Sequence, residues 1–255
     1  MATEPQSIAE LDGKTCLVTG GSRGIGRSIA EELAAAGADV AVNYYSSEEA
    51  AYDVVDDIES TGGNAAVVHA DVSDFEAVRG MADRVHETFG DLDVLVNNAG
   101  INIDKRFGDL TPEDWQRVID INLTGSYNTS RVFFEELRES EEGRIVNISS
   151  VIGEMGNIGQ ANYAASKSGL FGLTRTLAKE LAGHRTTVNA VAPGFTWTDM
   201  LEEVPEGIRE QIKSEIPVGR FAEPEEVSGT VRFLASERSS YITGQVIDVN
   251  GGMHI

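Results

Sequence analysis

Seven short apolar runs alternate with helix-length stretches along this chain, and no other feature restricts its fold as strongly. The runs are KTCLVTG, DVAVNYY, NAAVVHAD, LDVLVNNAG, GRIVNISS, TTVNAVAPG and GQVIDVNGG. Their nearly uniform apolar character is typical of strands that are covered on both faces. Helical periodicity between the runs predicts helices at 26–36, 48–60, 75–89 and 112–136. The alternation predicts an α/β fold: a single Rossmann-like doubly wound domain with a parallel seven-stranded sheet flanked by helices.

Residues 1–10 are predicted to form a flexible N-terminal tail, and residues 11–255 a single domain. The start lacks the basic and apolar regions of a signal peptide, and no apolar run is long enough to span a bilayer. The single cysteine, Cys16, cannot form an internal disulfide, which fits a reducing cytoplasm. The four histidines are scattered without metal-ligand spacing, so no metal site is predicted.

Acidic residues outnumber basic residues by 42 to 20, which gives a formal net charge of -22. Nucleic acids and anionic membranes are bound by basic surfaces, so neither is an expected partner. The acidic residues are spread along the chain rather than gathered in a tail. Two interpretations are open: an ordinary soluble acidic enzyme, or a halophilic protein whose self-repulsion is screened by a salt-rich cytoplasm. We favour the halophilic interpretation.

A glycine-rich turn joins the first predicted strand to the first predicted helix in CLVTGGSRGIGRSIAEEL. Gly20, Gly24 and Gly26 lie where a side chain would block the tight turn or the approach of a pyrophosphate. The helix that follows offers free N–H groups and the positive end of its dipole to phosphate groups. This segment is therefore predicted to bind a dinucleotide, although its T-G-x-x-x-G-x-G spacing differs from the commoner G-x-G-x-x-G.

The end of the second strand indicates which dinucleotide is bound. NAD enzymes usually place a carboxylate there to bind the ribose 2′-hydroxyl. Here the sequence reads NYYSS, with no acidic residue before Glu48. Arg23, inside the glycine turn, can reach a 2′-phosphate, and Ser46 can donate a hydrogen bond to it. We therefore predict NADP(H) as the cofactor, with Tyr44 and Tyr45 in the same binding region.

Tyr163 and Lys167 lie four residues apart in ANYAASKSGL, so a helix places their side chains on one face. Free tyrosine titrates at about pH 10 and is a poor acid at neutral pH. A nearby ammonium group, together with a positive nicotinamide ring, favours the phenolate and lowers this pKa. Lys167 also has donors for the hydroxyls of the nicotinamide ribose. The pair is predicted to be a proton donor and the group that tunes it.

The glycine turn, the NNAG after the fourth strand and the later Y-x-x-x-K resemble, in this order, the motifs of the short-chain dehydrogenase/reductase family. The resemblance extends from about Leu11 to the C-terminus. It implies that Asp71 and Val72 hold the adenine ring and that Pro193 and Gly194 pass the nicotinamide. The other cofactor-binding residues that it implies are Ser22, Ile25, Asn98, Ala99, Gly100 and Thr196.

The same resemblance adds two residues to the catalytic pair. It implies that Ser150, thirteen residues before Tyr163, hydrogen-bonds the substrate oxygen, and the count favours Ser150 over its neighbour Ser149. It implies that Asn122, in VIDINLTG, holds a water molecule in a proton relay. In the implied reaction NADPH delivers a hydride to a carbonyl carbon, and Tyr163 donates the proton.

Three stretches are similar to the 3-oxoacyl-thioester reductases of this family: NNAGINIDKRF, GNIGQANYAASKSGL, and PGFTWTDM with the later IPVGRFAEPEEV. The similarity implies that Asp104 and Gln160 lie near the acyl thioester, beside Ser150 and Tyr163. It also implies that a segment at about 195–217 is mobile and closes over the substrate.

Charge is the remaining guide to the substrate. Carrier proteins are acidic and dock on basic patches near an active-site mouth. The stretch before GRI reads RESEEGR, so we expect an acidic mouth that disfavours a carrier protein. The prediction is NADPH-dependent reduction of acetoacetyl-CoA to 3-hydroxybutyryl-CoA, as in polyhydroxyalkanoate synthesis. The alternatives are a 3-oxoacyl-(acyl-carrier-protein) reductase of fatty acid synthesis, a sugar or polyol dehydrogenase, and a non-catalytic NADP-binding regulator.

The predicted partner is thus a small-molecule acyl-CoA substrate. The family resemblance further implies a homotetramer, assembled through the helices around 112–136 and 163–181 and through the C-terminal strand. The apolar residues of the second of these helices could equally belong to the core of one chain.

The net charge generates a prediction about salt. Raising KCl from about 0.01 M to about 1 M shortens the Debye length from about 30 Å to about 3 Å and screens the repulsion among carboxylates. We expect the unfolding midpoint, followed by circular dichroism, to rise over this range. Sucrose, which stabilises proteins without screening charge, is the control. A chain that is already fully stable in dilute buffer would contradict the halophilic interpretation.

Overall fold

Seven parallel strands form the centre of the structure, a computed structural model that describes residues 10–202 and 204–255. They are β1 Thr15–Val18, β2 Asp39–Tyr44, β3 Asn64–His69, β4 Val94–Asn97, β5 Arg144–Ile148, β6 Thr187–Pro193 and β7 Val246–Val249. Their spatial order is β3-β2-β1-β4-β5-β6-β7, so the strand order reverses between β1 and β4. The predicted α/β fold with a parallel seven-stranded sheet is confirmed.

Helices among the described residues cover both faces of this sheet. They are α1 Gly24–Ala35, α2 Glu48–Ser60, α3 Phe75–Phe89, α4 Pro112–Ile119, α5 Gly125–Val132, α6 Phe134–Glu139, α7 Val151–Met155, α8 Ala161–Leu181, α9 Asp199–Glu202, α10 Glu206–Glu215 and α11 Pro224–Ala235. The bounds of α2 and α3 are those predicted from the sequence. None of these described helices has the length and apolar character needed to cross a membrane.

The helix predicted at 112–136 is helical over residues 112–132 but not as one regular α-helix. A π-helical turn at Asp120–Thr124 lies between α4 and α5, and the helix ends at Phe133 before α6. The π turn contains Asn122, whose side-chain oxygen accepts a hydrogen bond from the Ile101 N–H. This bond ties the turn to the loop after β4, a distant segment that helical periodicity does not reveal.

The two faces of the sheet bury separate apolar layers. Cys16 and Val18 pack into one layer with α1, α2 and α11, whereas Leu17 packs into the other with α3 and α6. Successive residues of a strand point to opposite faces, so both layers require apolar side chains. This double burial explains why the strands read as unbroken apolar runs.

The predicted tail at 1–10 lies outside the described residues, apart from Glu10. The Glu10 carboxylate lies 3.0 Å from the guanidinium groups of both Arg232 and Arg238. These ion pairs join the start of the described chain to α11 and the turn that follows it.

A buried polar network lies beneath the carboxyl end of the sheet. Asn97, the last residue of β4, donates to Asn147 of β5 at 2.8 Å and accepts from Thr129 of α5 at 2.6 Å. Asn147 donates in turn to Thr174 of α8 at 2.9 Å. Two neighbouring strands and two helices are thereby held in register at the edge where the motif residues converge.

We therefore predict that Asn97→Ala destabilises the protein by about 1–3 kcal/mol, because it leaves buried polar partners without hydrogen bonds. Asn64→Ala is the matched control, since Asn64 makes its hydrogen bond to Asp39 at the exposed start of an outer strand. Urea unfolding of both variants measures the difference. Equal loss in the two variants would contradict the role given to the network.

Candidate active site

The glycine turn closes tightly upon itself at the carboxyl end of β1. Gly20 and Gly24 have φ of +62° and +53°, which L-residues with a side chain rarely adopt. A Cβ on Gly26 would lie 2.2 Å from the Gly20 carbonyl oxygen and 2.4 Å from the Asn98 amide nitrogen. The turn therefore has room only for hydrogen at Gly26, and it directs the free N–H groups at the start of α1 toward the crevice.

Two polar side chains that the sequence analysis did not assign hold this turn. The Thr19 hydroxyl accepts from the backbone N–H groups of Asn98 and Ala99 at 2.9 and 3.0 Å, and the Asn98 amide donates back to the Thr19 carbonyl at 2.9 Å. The Asn43 side chain accepts from the Gly20 N–H at 3.2 Å and also donates to the carbonyl groups of Val68 and Ala70. The sequence signal for Asn43 was a polar residue inside the otherwise apolar run DVAVNYY.

The two tyrosines at the end of β2 differ in their exposure to solvent. The Tyr44 ring is buried, and its hydroxyl donates to Glu48 at 3.2 Å. Burial, followed by the Glu48 charge, raises the Tyr44 pKa. Tyr45 is 61% exposed and stacks on His69, with ring centroids 6.0 Å apart, while His69 also bonds the Tyr45 carbonyl. The sequence analysis did not predict this contact of His69 with Tyr45.

The exposed side chains of Arg23 and Ser46, predicted to bind the 2′-phosphate, lie at the same end of the sheet. The predicted adenine residues, Asp71 and Val72, are held by side-chain hydrogen bonds. Asp71 accepts from Ser73, and Asn128 of α5 donates to the Val72 carbonyl at 2.9 Å.

The face of α8 brings Tyr163 and Lys167 together as predicted. The Lys167 Nζ lies 5.6 Å from the centroid of the Tyr163 ring and donates to the Ile148 carbonyl at 2.8 Å. Lys167 is buried, and this burial lowers its pKa to about 8. Lys167 therefore begins to lose its proton only slightly above neutral pH.

Among the side chains of this fold the pKa of Tyr163 is raised, whereas the sequence predicted that Lys167 and a positive nicotinamide ring together lower it. Burial is the main cause, hydrogen bonding from Ser150 acts against it, and the negative charge of Asp104 adds to it. The Lys167 ammonium group lies over the Tyr163 ring and donates to the Ile148 carbonyl. By themselves these side chains keep Tyr163 protonated, as a proton donor requires.

Ser150 and Ser149 point to different partners. Ser150 caps the start of α7, and its hydroxyl accepts from the Ile152 N–H at 3.1 Å, so its own hydrogen remains available on the Tyr163 side. The Ser149 hydroxyl instead donates to the Lys167 carbonyl at 2.8 Å. Ser150 is the one that faces the phenol, and Ser149 fixes α8 against β5.

Asn122 clamps the loop that carries the end of NNAG. Its amide donates to the Ile101 carbonyl at 3.0 Å and to the Ser166 hydroxyl at 3.1 Å, in addition to accepting from the Ile101 N–H. A Cβ on Gly100 would lie 3.3 Å from the Asn122 side-chain oxygen and 3.5 Å from the Lys167 Nζ. The two polar groups therefore meet behind Gly100.

Asp104 and Gln160, predicted to lie near the acyl thioester, contact each other at the opening beside Tyr163. The Gln160 amide donates to Asp104 at 2.9 Å and accepts from Asn157 at 2.8 Å. The backbone N–H of Lys105 donates to the Gly159 carbonyl at 2.9 Å, which joins the two loops. This exposed chain of amides and one carboxylate forms a polar rim.

The stretch after β6 passes over the crevice and leads to α9 and α10. The Gly194 N–H donates to the Val249 carbonyl at 2.9 Å, and a Cβ on Gly194 would lie 2.8 Å from the Asn250 Cα. The buried Thr196 forms a bridge with Ala222. A small apolar cluster packs beneath α9 and α10, separate from the two main layers, and its buried members are Leu201, Ile216 and Phe221.

The expectation of an acidic mouth is wrong for a single chain. Glu139, Glu141 and Glu142 precede β5, whereas Ser150 follows it, so about 20 Å of extended chain separates them. Glu142 also lies 3.7 Å from Lys14 and 4.0 Å from Arg185, which offset its charge. These acidic side chains lie at the amino edge of the sheet, opposite the crevice.

The arrangement combines a phosphate-binding turn with a serine, a tyrosine and a buried lysine at one edge of a doubly wound sheet. Residues 20–254 match a family model described as enoyl-(acyl carrier protein) reductase. The chain belongs to the short-chain dehydrogenase/reductase family.

Several known proteins are similar to this chain over nearly its whole length. A 3-oxoacyl-(acyl-carrier-protein) reductase of Staphylococcus aureus is 47% identical over 242 residues, covering 95% of this chain and 98% of that protein. One of Synechocystis is 48% identical over 247 residues, covering 96% and 99%. A crystal structure of a proposed gluconate dehydrogenase from Agrobacterium tumefaciens superimposes with a TM-score of 0.93 at 38% identity, covering 97% and 98% of the two chains.

The closed glycine turn predicts that Gly26→Ala is damaging. The added methyl group must displace Gly20 and Asn98, and overpacking of this kind costs about 1–3 kcal/mol. We expect weaker dinucleotide binding, measured by fluorescence titration, together with a lower unfolding midpoint. Gly229→Ala is the control, because a Cβ on Gly229 in α11 meets nothing within 4 Å. Unchanged dinucleotide affinity in Gly26→Ala would contradict the assignment.

Proposed function

We propose that this protein is an NADPH-dependent 3-oxoacyl-thioester reductase and that its acyl group is carried by acyl-carrier protein. The observation that carries the chemistry is the convergence of Ser150, Tyr163 and Lys167 beside the closed glycine turn. The curated relatives described above, at 47% and 48% identity over nearly the whole chain, support the acyl-carrier substrate.

The residues fit a bound dinucleotide at the places where a side chain is excluded. Gly20 and Gly26 leave open backbone at the start of α1 for a pyrophosphate, and Gly194 lets the chain pass close to Asn250. Arg23 and Ser46, with no carboxylate before Glu48, favour a 2′-phosphate and hence NADP(H). NADPH supplies the hydride when it is bound there.

Each catalytic side chain has a distinct task in this proposal. Tyr163 donates the proton to the developing alkoxide, and its raised pKa keeps that proton in place until then. Ser150 donates its free hydroxyl hydrogen to the same oxygen and stabilises the negative charge. Lys167 spends one donor on the Ile148 carbonyl and has two left for ribose hydroxyls.

Replacement of the proton involves Lys167 and Asn122. The pKa of Lys167, lowered to about 8, allows this group to release and regain a proton near neutral pH. Asn122 holds Ile101 and so fixes the wall behind Gly100, where water would join the relay. Asp104 and Gln160 form the polar rim against which the thioester would rest.

Acetoacetyl-CoA reduction is the second candidate. The observation that favours it is the net charge of -22, because a strongly acidic enzyme repels an acidic carrier protein at low salt, whereas CoA, although also anionic, needs only a few local basic contacts. The sequence-based argument from an acidic mouth no longer supports it, since those residues lie across the sheet. Polyhydroxyalkanoate synthesis would be its context, and a cytoplasmic location and a homotetramer belong to both candidates.

A substrate panel tests the proposal. NADPH oxidation is followed with the same 3-oxobutyryl group on acyl-carrier protein and on CoA, and with gluconate and NADP as a sugar-acid control. We expect kcat/KM for the carrier-linked substrate to be the highest. A higher value for acetoacetyl-CoA would favour the second candidate, and turnover of gluconate alone would reject both. No turnover of any substrate, with NADPH still bound, would indicate the non-catalytic regulator.

Removal of the proton donor gives a mutational prediction. Tyr163→Phe keeps the ring but not the hydroxyl, so kcat should fall by about 100- to 10,000-fold, the usual contribution of general acid catalysis. NADPH binding and the unfolding midpoint should stay close to those of the wild type. Tyr241→Phe is the control, because Tyr241 is fully exposed. Appreciable turnover by Tyr163→Phe would overturn the assignment.

Cofactor choice gives a second mutational prediction. Arg23→Ala removes a cation from the 2′-phosphate, and a charge-assisted hydrogen bond of about 1.5–3 kcal/mol corresponds to about a 10- to 150-fold loss in kcat/KM with NADPH. Activity with NADH should change little. Arg79→Ala is the control, since Arg79 is an exposed arginine of α3 that pairs only with Glu76 among the described residues. An unchanged NADPH to NADH ratio would remove Arg23 from the cofactor site.

A further inference from the structure

Three potential metal ligands converge outside the catalytic residues, although no sequence motif brings them together. Glu154 lies on α7, Asp248 on β7, and His254 in the C-terminal segment. One ligand atom from each lies within 4.8 Å of the other two. His254 Nε2 is 3.9 Å from Glu154, and its Nδ1 is 3.4 Å from Asp248. Their spacing of 94 and 6 residues explains why the sequence predicted no metal site.

The charges of this cluster are unbalanced. No lysine or arginine in the described part of the chain forms an ion pair with Glu154 or Asp248, whose nearest basic partner is His254. Two carboxylates and one imidazole with no lysine or arginine among them form a ligand set that a cation could join without displacing an ion pair.

The geometry and the ligand types suit a transition-metal ion. Zinc binds histidine nitrogen and carboxylate oxygen at about 2.0–2.2 Å, so its ligand atoms lie about 3–4 Å from one another. One ion would bind His254 through a single nitrogen, and the three ligand atoms lie within 4.8 Å of one another, so shifts of about 1 Å bring them into this range. One imidazole with two carboxylates favours zinc or manganese over calcium, which binds through oxygen alone.

The side chains of Glu154, Asp248 and His254 keep 23%, 33% and 37% of their exposure, so an ion can reach them from solvent. Glu154 lies on α7 and Asp248 on β7, which places two of the three ligands on regular elements.

We propose that Glu154, Asp248 and His254 form a binding site for one divalent transition-metal ion. The ion would tie the C-terminal segment to α7, the helix whose start is capped by Ser150. The same segment supports the stretch that covers the crevice: the Val218 N–H donates to the Gly251 carbonyl at 3.1 Å, and Met253 packs against the apolar cluster beneath α9 and α10. The metal would thus act as a brace rather than in the reaction.

Manganese binding to the full chain tests the site. The protein is treated with a chelator, dialysed into about 1 M KCl to suppress loose binding to surface carboxylates, and titrated with Mn²⁺ under electron paramagnetic resonance. We expect one tightly held Mn²⁺ per chain, displaced by Zn²⁺. Absence of a saturable site under these conditions would overturn the proposal.

Three isosteric variants locate the ion. Glu154→Gln, Asp248→Asn and His254→Gln each remove one ligand and should weaken Mn²⁺ binding at least about tenfold. His184→Gln is the matched control, because His184 follows α8 at the opposite edge of the sheet. Circular dichroism confirms that each variant is folded. Binding that is unchanged in the three variants would place the ion elsewhere and overturn the proposal.

The melting temperature is a second readout of the ion. A bound metal raises the melting temperature of the wild type by mass action, and the three variants should lose that rise. A wild-type melting temperature that added Mn²⁺ leaves unchanged would contradict the proposal.

Discussion

The contact between the ends of β1 and β4 is the interaction on which the rest of the site depends. Thr19 and Asn98 exchange hydrogen bonds across these two strands, and Asn98 reaches on to the Gly20 carbonyl at 3.0 Å. The strand order reverses between β1 and β4, and this reversal opens a crevice between the helices on either side. The glycine turn, the loop after β4 and Lys167 all border that crevice, so loosening this contact would separate the cofactor site from the catalytic side chains.

The chain indicates its sheet clearly because burial on both faces leaves a strong pattern. All seven strands coincide with apolar runs, and the four-residue spacing of Tyr163 and Lys167 placed them on one helical face. The predicted helix at 112–136 missed the π turn that contains Asn122, a residue that bonds Ile101, 21 residues away. Periodicity describes a helix locally and contains no information about such a bond.

Electrostatic predictions were less successful because they depend on position as well as identity. The expected fall in the pKa of Tyr163 relied on Lys167 and a positive nicotinamide ring, whereas burial is the main influence among the side chains of the fold and raises it. The acidic residues before β5 were placed at the crevice because carrier-dependent relatives tend to have basic residues at that point of the sequence. A parallel strand takes the chain from one edge of a sheet to the other, so nearness in sequence there means separation in space.

The π turn at Asp120–Thr124 has a consequence for the way the surrounding helices are shared out. A residue added to a helix rotates everything after it by about 100° relative to what came before. On the near side of the turn α4 packs against α8, and on the far side α5 packs against α3. One segment of chain therefore packs against two neighbours with faces that the π turn has rotated relative to each other. The inserted residue sets this rotation between the helix that carries the proton donor and the helix that follows the adenine loop.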